Sequence, residues 1–295
     1  MEALETSPSA ASTSAGQLLR SARALIGWMT PQEAKLWLAG RRTDQSERVE
    51  FAIASERARK AVATRPVFVD AGTFEALPSD ALVDHVEALR QNASSAPYFQ
   101  EGWRVAVVDL RKVRAIQPHV FVDDSAQRLV GVDPDDVVSL AQISLPLLAP
   151  SSLATQFDEA RKVWAFSSPN PNLRISGHFG GQIQPGVRGF GFVVSVAASF
   201  LQVGSYRGRH LLRDGYHRAY GFISRGITRV PAFVRDFDSY DELSLPAGLL
   251  PQGAFLGERP PALVDYMDES VSASVQLPAM HKMVIVQAIE MSSLG

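Results

Sequence analysis

Asp214-Gly215-Tyr216-His217-Arg218 is the stretch of the chain best equipped for chemistry, with a carboxylate, a glycine, an imidazole and a guanidinium in consecutive reach. Residues of these types serve an anion well. Glycine lets the backbone come close, arginine offers a planar fork matched to phosphate or carboxylate, and histidine donates or accepts near neutral pH. Asp214 could take a proton from an attacking hydroxyl or orient a metal-bound phosphate; its alternative role is to cap the turn it stands in. Arg218 is the strongest single candidate for a phosphate contact, the alternative being an ion pair to Asp214 or Asp236. Tyr216 could stack a base or simply pack.

The elements around this run are arranged to present it. His210 to Arg213 reads as a short strand, Asp214-Gly215 as a turn, and Ala219, Phe222 and Ile223 mark a helix that Gly226 stops. Ile227 to Val234 reads as the next strand, with Pro231 placing it near an edge or delaying its start. A strand passing through glycine into a helix N-terminus points free N–H groups and the positive end of the helix dipole at one spot. Phe190 to Val203 is expected to be a buried strand or strand pair that turns through Gly204–Gly208 into the motif. Trp103 to Val122 reads as strand, a turn at Gln117-Pro118, then strand. His119, just past that turn, is a weaker candidate contact.

The rest of the chain offers less. Residues 1–16 are Ser/Ala-rich without an apolar core and read as a disordered leader. Residues 17–100 are expected to be a largely helical N-terminal region. It has an apolar face on Leu18, Leu19, Ala22, Leu25 and Ile26, a helix start at Thr30-Pro31-Gln32-Glu33, and a third helix over 47–63. A helix capped by Ser79 runs to Leu89, a short strand covers Pro66–Asp70, and a polar loop covers 91–100. Asp133, Asp135 and Asp136 read as capping residues, because no partner ligands stand at metal-binding spacing. Ser151 to Trp164 is expected to form a helix and Ser167 to Gly189 a hairpin or wall loop. That loop lacks the Gly-Lys-Ser/Thr ending of a nucleotide P-loop; its Arg174 and His178 could line a site. Residues 238–295 form a proline-rich extension containing a strand near 281–291.

Composition narrows the function classes. The formal net charge of -2 in 295 residues gives no global attraction to nucleic acid or an anionic membrane. With no cysteine, disulfides, thiol nucleophiles and thiolate metal sites are excluded. The longest apolar stretch is too short for a membrane helix, and cytoplasm is the expected compartment.

From Trp103 onward the order of elements resembles the ParB/sulfiredoxin-like superfamily. Val105 to Pro118 looks like its first strand and Ile-x-Pro turn. Asp214-Gly215-Tyr216-His217-Arg218, followed by a helix, Gly226 and Val230-Pro231, matches its D-G-x-H-R…G…V-P loop. The resemblance implies an α+β fold, a mixed sheet with packed helices. Its core spans 101–237 with an insertion over 123–189, flanked by the helical N-terminal region and an irregular C-terminal tail. It further implies that Gly215, Tyr216, His217 and Arg218, with His119 near the Ile-x-Pro turn, contact the phosphates of ATP, ADP or CTP, with Mg²⁺ on those phosphates. Without a cysteine the loop cannot reduce a sulfinic acid, and without a helix-turn-helix unit the tail does not support a chromosome-partition role. The loop is similar to that of the free-serine kinase branch. That implies a nucleotide-dependent phosphotransferase or NTPase, Asp214 and His217 acting on a small hydroxyl-bearing substrate. A non-catalytic nucleotide sensor using the same loop is the alternative.

Overall fold

The computed structural model describes residues 19–33, 45–77, 80–122, 129, 132–147, 153–168, 172–196, 198–278 and 282–289. In chain order these form β1 (Leu19–Ala24), α1 (Gln45–Ala63), α2 (Val83–Gln91), α3 (Ala96–Gln100), β2 (Arg104–Asp109), β3 (Val113–Arg114), β4 (His119–Phe121) and α4 (Val137–Ser144). There follow β5 (Ala154–Asp158), β6 (Val163–Ser168), β7 (Leu173–Gln184), β8 (Val187–Val196), β9 (Gln202–Tyr206), β10 (Arg209–Asp214), α5 (Tyr216–Ser224), β11 (Arg229–Asp236), α6 (Gln252–Phe255), β12 (Ala273–Pro278) and β13 (Lys282–Gln287).

The protein is a mixed α+β fold organised on a five-stranded sheet in the order β2-β11-β9-β10-β3. β2 pairs antiparallel with β11 and β9 antiparallel with β10, while β11–β9 and β10–β3 are parallel. Parallel neighbours need a crossover, and the chain passes from β9 to its parallel neighbour β11 through β10 and α5. The middle of the sheet is dry. Val203, Leu211, Leu212, Val230, Ala232, Phe233 and Val234 are all fully buried, as are Ala219 and Phe222 of α5. Burial on that scale contributes about 1.5–3 kcal/mol per large side chain and fixes the register of the strands that carry the candidate site. A second sheet, β12-β1-β4, closes one side of this core.

Local signals behaved as the sequence chemistry requires. Glu33 N–H donates to Thr30 Oγ1 at 3.1 Å and Thr30 N–H to Glu33 Oε2 at 2.8 Å, a reciprocal capping box. Asp136 accepts from Val138 N–H at 3.0 Å and caps α4. α5 ends in a Schellman motif: Gly226 N–H reaches Ile223 O and Ile227 N–H reaches Phe222 O, each at 2.9 Å, with Gly226 at φ 78°.

Other expectations are corrected. Leu19–Ala24 is a strand, not a helix, because backbone pairing with β12 and β4 overrides an ambiguous apolar pattern. Pro66–Asp70 runs without a ladder, tied by single bonds such as Phe68 N–H to Glu258 O at 2.7 Å. The 91–100 loop contains α3. Residues 154–168 form the β5–β6 hairpin in place of a helix; Phe157 stacks on Trp164 across it at 4.4 Å. The 167–189 loop and the strand after it are the two arms of one ribbon, β7–β8, and that ribbon is exposed, not buried: Phe190 is 80% accessible. The helix read as capped by Ser79 begins at Val83, with Leu82 and Leu89 buried; Ser79 and the 1–16 leader lie outside the described residues. Among the described residues no helix is long and apolar enough to cross a membrane.

Candidate functional site

The strand–turn–helix unit forms as its residues dictate. Gly215 sits at φ 90° as the N-cap of α5, a backbone conformation that L side chains rarely adopt. A Cβ there would also meet Leu201 Cα at 2.9 Å, so the close approach of the segment before β9 needs glycine for a second reason. Just upstream the β9–β10 register shifts between Leu212 and Asp214, a bulge that re-aims the residues entering the turn.

Asp214 serves the turn. Its Oδ1 accepts Gly215 N–H at 2.6 Å and its Oδ2 accepts the Ser199 hydroxyl at 3.2 Å. Desolvation raises its pKa above the ordinary carboxylate value, against the opposing pull of the Arg218 charge and of these hydrogen bonds. Ser199 in turn accepts from Arg218 Nη2 at 2.6 Å. Asp214, Ser199 and Arg218 thus form one hydrogen-bonded relay, and Ser199 had no signature in the sequence.

Arg218 turns inward. It is 5% exposed, and its Nη1 donates to Ser199 O at 2.6 Å, Ile143 O at 3.1 Å and Ser144 O at 3.3 Å. The guanidinium expected to grip a phosphate stitches α4 and the 199–201 segment to α5. Tyr216 is equally committed. Its hydroxyl donates to Leu212 O at 2.6 Å and accepts Ile116 N–H at 2.9 Å and Gln117 N–H at 3.2 Å. Complete burial raises its pKa well above the ordinary phenol value, so it remains a neutral lock between β10 and the 115–118 turn. Tyr206, on β9, is likewise buried, beside Tyr240.

The histidines behave differently. His119 of β4 and His217 of α5, distant in sequence, come close enough that the charge of His217 acts on His119. Phe121 joins them: its ring stacks on His217 at 5.8 Å and meets His119 edge-on at 5.4 Å. Arg20 lies over the same ring at 4.6 Å. Burial, helped by the neighbouring His217, pushes His119 down to about 4, so it is uncharged at neutral pH.

On the other side of Asp214 stand residues that the sequence did not flag. Tyr98 accepts from Gln202 Nε2 at 3.2 Å, and burial and the Asp214 charge raise its pKa. Arg213, at the bulge, lies between Trp103 at 5.1 Å and Phe237 at 5.4 Å, and its buried Nε has no acceptor. Arg174, from the ribbon, is near enough to act electrostatically on Tyr98. His178 stands exposed on the ribbon, away from this group. His210 stacks on Phe74 at 3.9 Å and bonds Gly72 O, a packing role. Among the described residues no group of three or more His, Asp or Glu side chains could hold a metal ion. Neither a protein-family model, nor a curated protein, nor a solved structure matches the chain.

Proposed function

We propose that the protein binds the phosphates of a nucleotide in front of the first turn of α5, as the resemblance to ParB/sulfiredoxin-like loops implies. The observation that carries this reading is the convergence of His119 and His217 at that turn, two candidate contacts from separate elements. An uncharged imidazole can donate one hydrogen bond to a phosphate oxygen without bringing a fixed positive charge. The helix N-terminus supplies electrostatic attraction of its own. Arg218 enters as the residue that holds the turn in shape, and Mg²⁺ would ride on the nucleotide rather than in a protein cage.

One observation favours a transfer reaction as a second reading. The raised Asp214 carboxyl is better matched to accepting a proton near neutral pH than an ordinary aspartate is, as an activated hydroxyl nucleophile requires. Both of its oxygens already hold hydrogen bonds, which fits a sensor that binds without turnover.

Thermal unfolding of the full chain with ATP, ADP and CTP, each with Mg²⁺, tests the first reading. A nucleotide that binds the folded state raises the midpoint, and the rise should vanish in His119→Ala/His217→Ala. No rise with any nucleotide, or a rise that the double variant keeps, rejects this site. ADP release that Asp214→Asn abolishes would establish transfer; a flat time course with a retained thermal shift would establish the sensor.

A further inference from the structure

A polar cavity with no α5 residue in its lining lies on the outer edge of the five-stranded sheet, at β3. It encloses about 360 Å³, within the size range of small-molecule sites. Its walls are the 65–69 segment and the 259–262 segment, and both are built firmly. Phe68 N–H bonds Glu258 O at 2.7 Å, Arg259 Nε bonds Arg65 O at 2.8 Å, and Ala115 N–H bonds Pro261 O at 2.8 Å.

The arginines here differ in what they have left to give. Arg65 is engaged by Asp265 at 2.6 Å and by Asp268. Arg259 is engaged by the Arg65 carbonyl and by Glu258 at 3.1 Å. Arg114 has no side-chain hydrogen bond or ion pair among the described residues. It projects from β3 into the cavity over the Phe68 ring, 4.9 Å from its centroid. Its buried Nε has no acceptor, and among the described residues no carboxylate stands at ion-pair distance from it. Arg209 lies 4.6 Å from the same ring and adds a like charge nearby. Asp265, the nearest acid, already accepts Ala262 N–H at 2.7 Å as well as Arg65. A partly buried guanidinium with a like-charged neighbour and no acceptor is costly unless an anion completes it.

We propose that this cavity binds the anionic group of a small molecule, a carboxylate or a phosphate, with the Arg114 fork as its principal ligand and Phe68 holding that fork in place. Planar, doubly donating recognition is what a guanidinium offers either group. The site is separate from the α5 turn and does not depend on the nucleotide reading.

The test measures thermal unfolding and calorimetric binding of the full chain with sodium phosphate and with sodium acetate, against sodium chloride at matched ionic strength. At least one of the two anions should raise the midpoint and bind. The anion that does so identifies the group the cavity takes. Arg114→Gln should weaken that binding by about tenfold or more, and Arg114→Lys should recover only part of it, since the charge remains but the fork is gone. In chloride alone Arg114→Gln should unfold no earlier than the wild type, because it removes a charge that lacks a partner. His119→Ala/His217→Ala should keep the response, which separates this cavity from phosphate capture at α5. The proposal is overturned if neither anion binds, if Arg114→Gln binds as well as the wild type, or if the response disappears in the histidine variant instead.

Discussion

Phe190 and Phe200 show how differently two neighbouring regions of this chain use the same residue. Phe200 is 1% exposed, with Tyr98 and Phe233 edge-on to its ring at 5.4 and 5.3 Å. Phe190, on the β7–β8 ribbon, is 80% exposed, and Phe179, Ile183 and Phe192 of the same ribbon are exposed as well. The core is covered on both faces by α5 and its neighbours, so each apolar side chain there excludes water from several others. The ribbon has two strands and is exposed along most of its length, so its apolar residues gain little. Hydrophobic sequence alone therefore does not locate the core; long-range pairing does.

The largest contrast is in stability. Phe200→Ala should lose about 3–5 kcal/mol in urea unfolding, the usual result of emptying a packed aromatic site. A loss under about 1 kcal/mol would mean that the 198–201 segment is not part of the core, and with it would go the packing that holds Gly215 in place.

Arg218→Ala should lose more than about 3 kcal/mol, because the Ile143 and Ser199 carbonyls and the Ser199 hydroxyl would lose their guanidinium donor and Ser144 O would keep only Leu201 N–H. Had the guanidinium faced a ligand instead, the same change would leave urea stability nearly unaltered and only weaken nucleotide binding. The two outcomes separate an inward from an outward Arg218 directly.

Acid should expose the histidine pair. His119 titrates near 4 in the fold against 6.5 in the unfolded chain, so between those values the unfolded state binds the extra proton. Its contribution is therefore fully present above about 6.5 and is lost as pH falls toward 4, by up to about 3 kcal/mol. Asp214, raised rather than lowered, acts with the opposite sign. Comparing the pH dependence of unfolding in His119→Gln with the wild type isolates the histidine: the slope between pH 4 and 6.5 should flatten. An unchanged slope would show that His119 is solvated.

Gly215→Ala should cost about 1–3 kcal/mol, from the φ of 90° and the contact with Leu201. This position was legible in the sequence because its cause is local: Asp-Gly ahead of a helical pattern forces a turn. The Thr30–Glu33 box, the Asp136 cap and the Gly226 stop were legible for the same reason. What the sequence did not show was set by distant partners. β1 is a strand because residues 273–278 lie beside it. Arg218 faces inward because carbonyls of 143, 144 and 199 gather there, and Ser199 and Tyr98 join Asp214 only through the fold. The convergence of His119 on His217 depended equally on a β4 placement that no local pattern encodes.

The smallest effect belongs to the ribbon. Phe190→Ser replaces an aromatic ring that is already mostly in water, so urea stability should change by no more than about 0.5 kcal/mol. A Cβ at Gly191 would meet Phe179 Cζ at 2.6 Å and one at Gly189 would meet Ile183 Cδ1 at 2.6 Å, so these glycines let the exposed side chains fold flat across the opposite strand. Those contacts are with flexible side-chain ends that can move aside, which is why even Gly191→Ala should remain cheap while Gly215→Ala, facing backbone, should not. If Phe190→Ser instead destabilised the protein as strongly as Phe200→Ala, the ribbon would have to be covered in solution, and the distinction between the two phenylalanines would collapse.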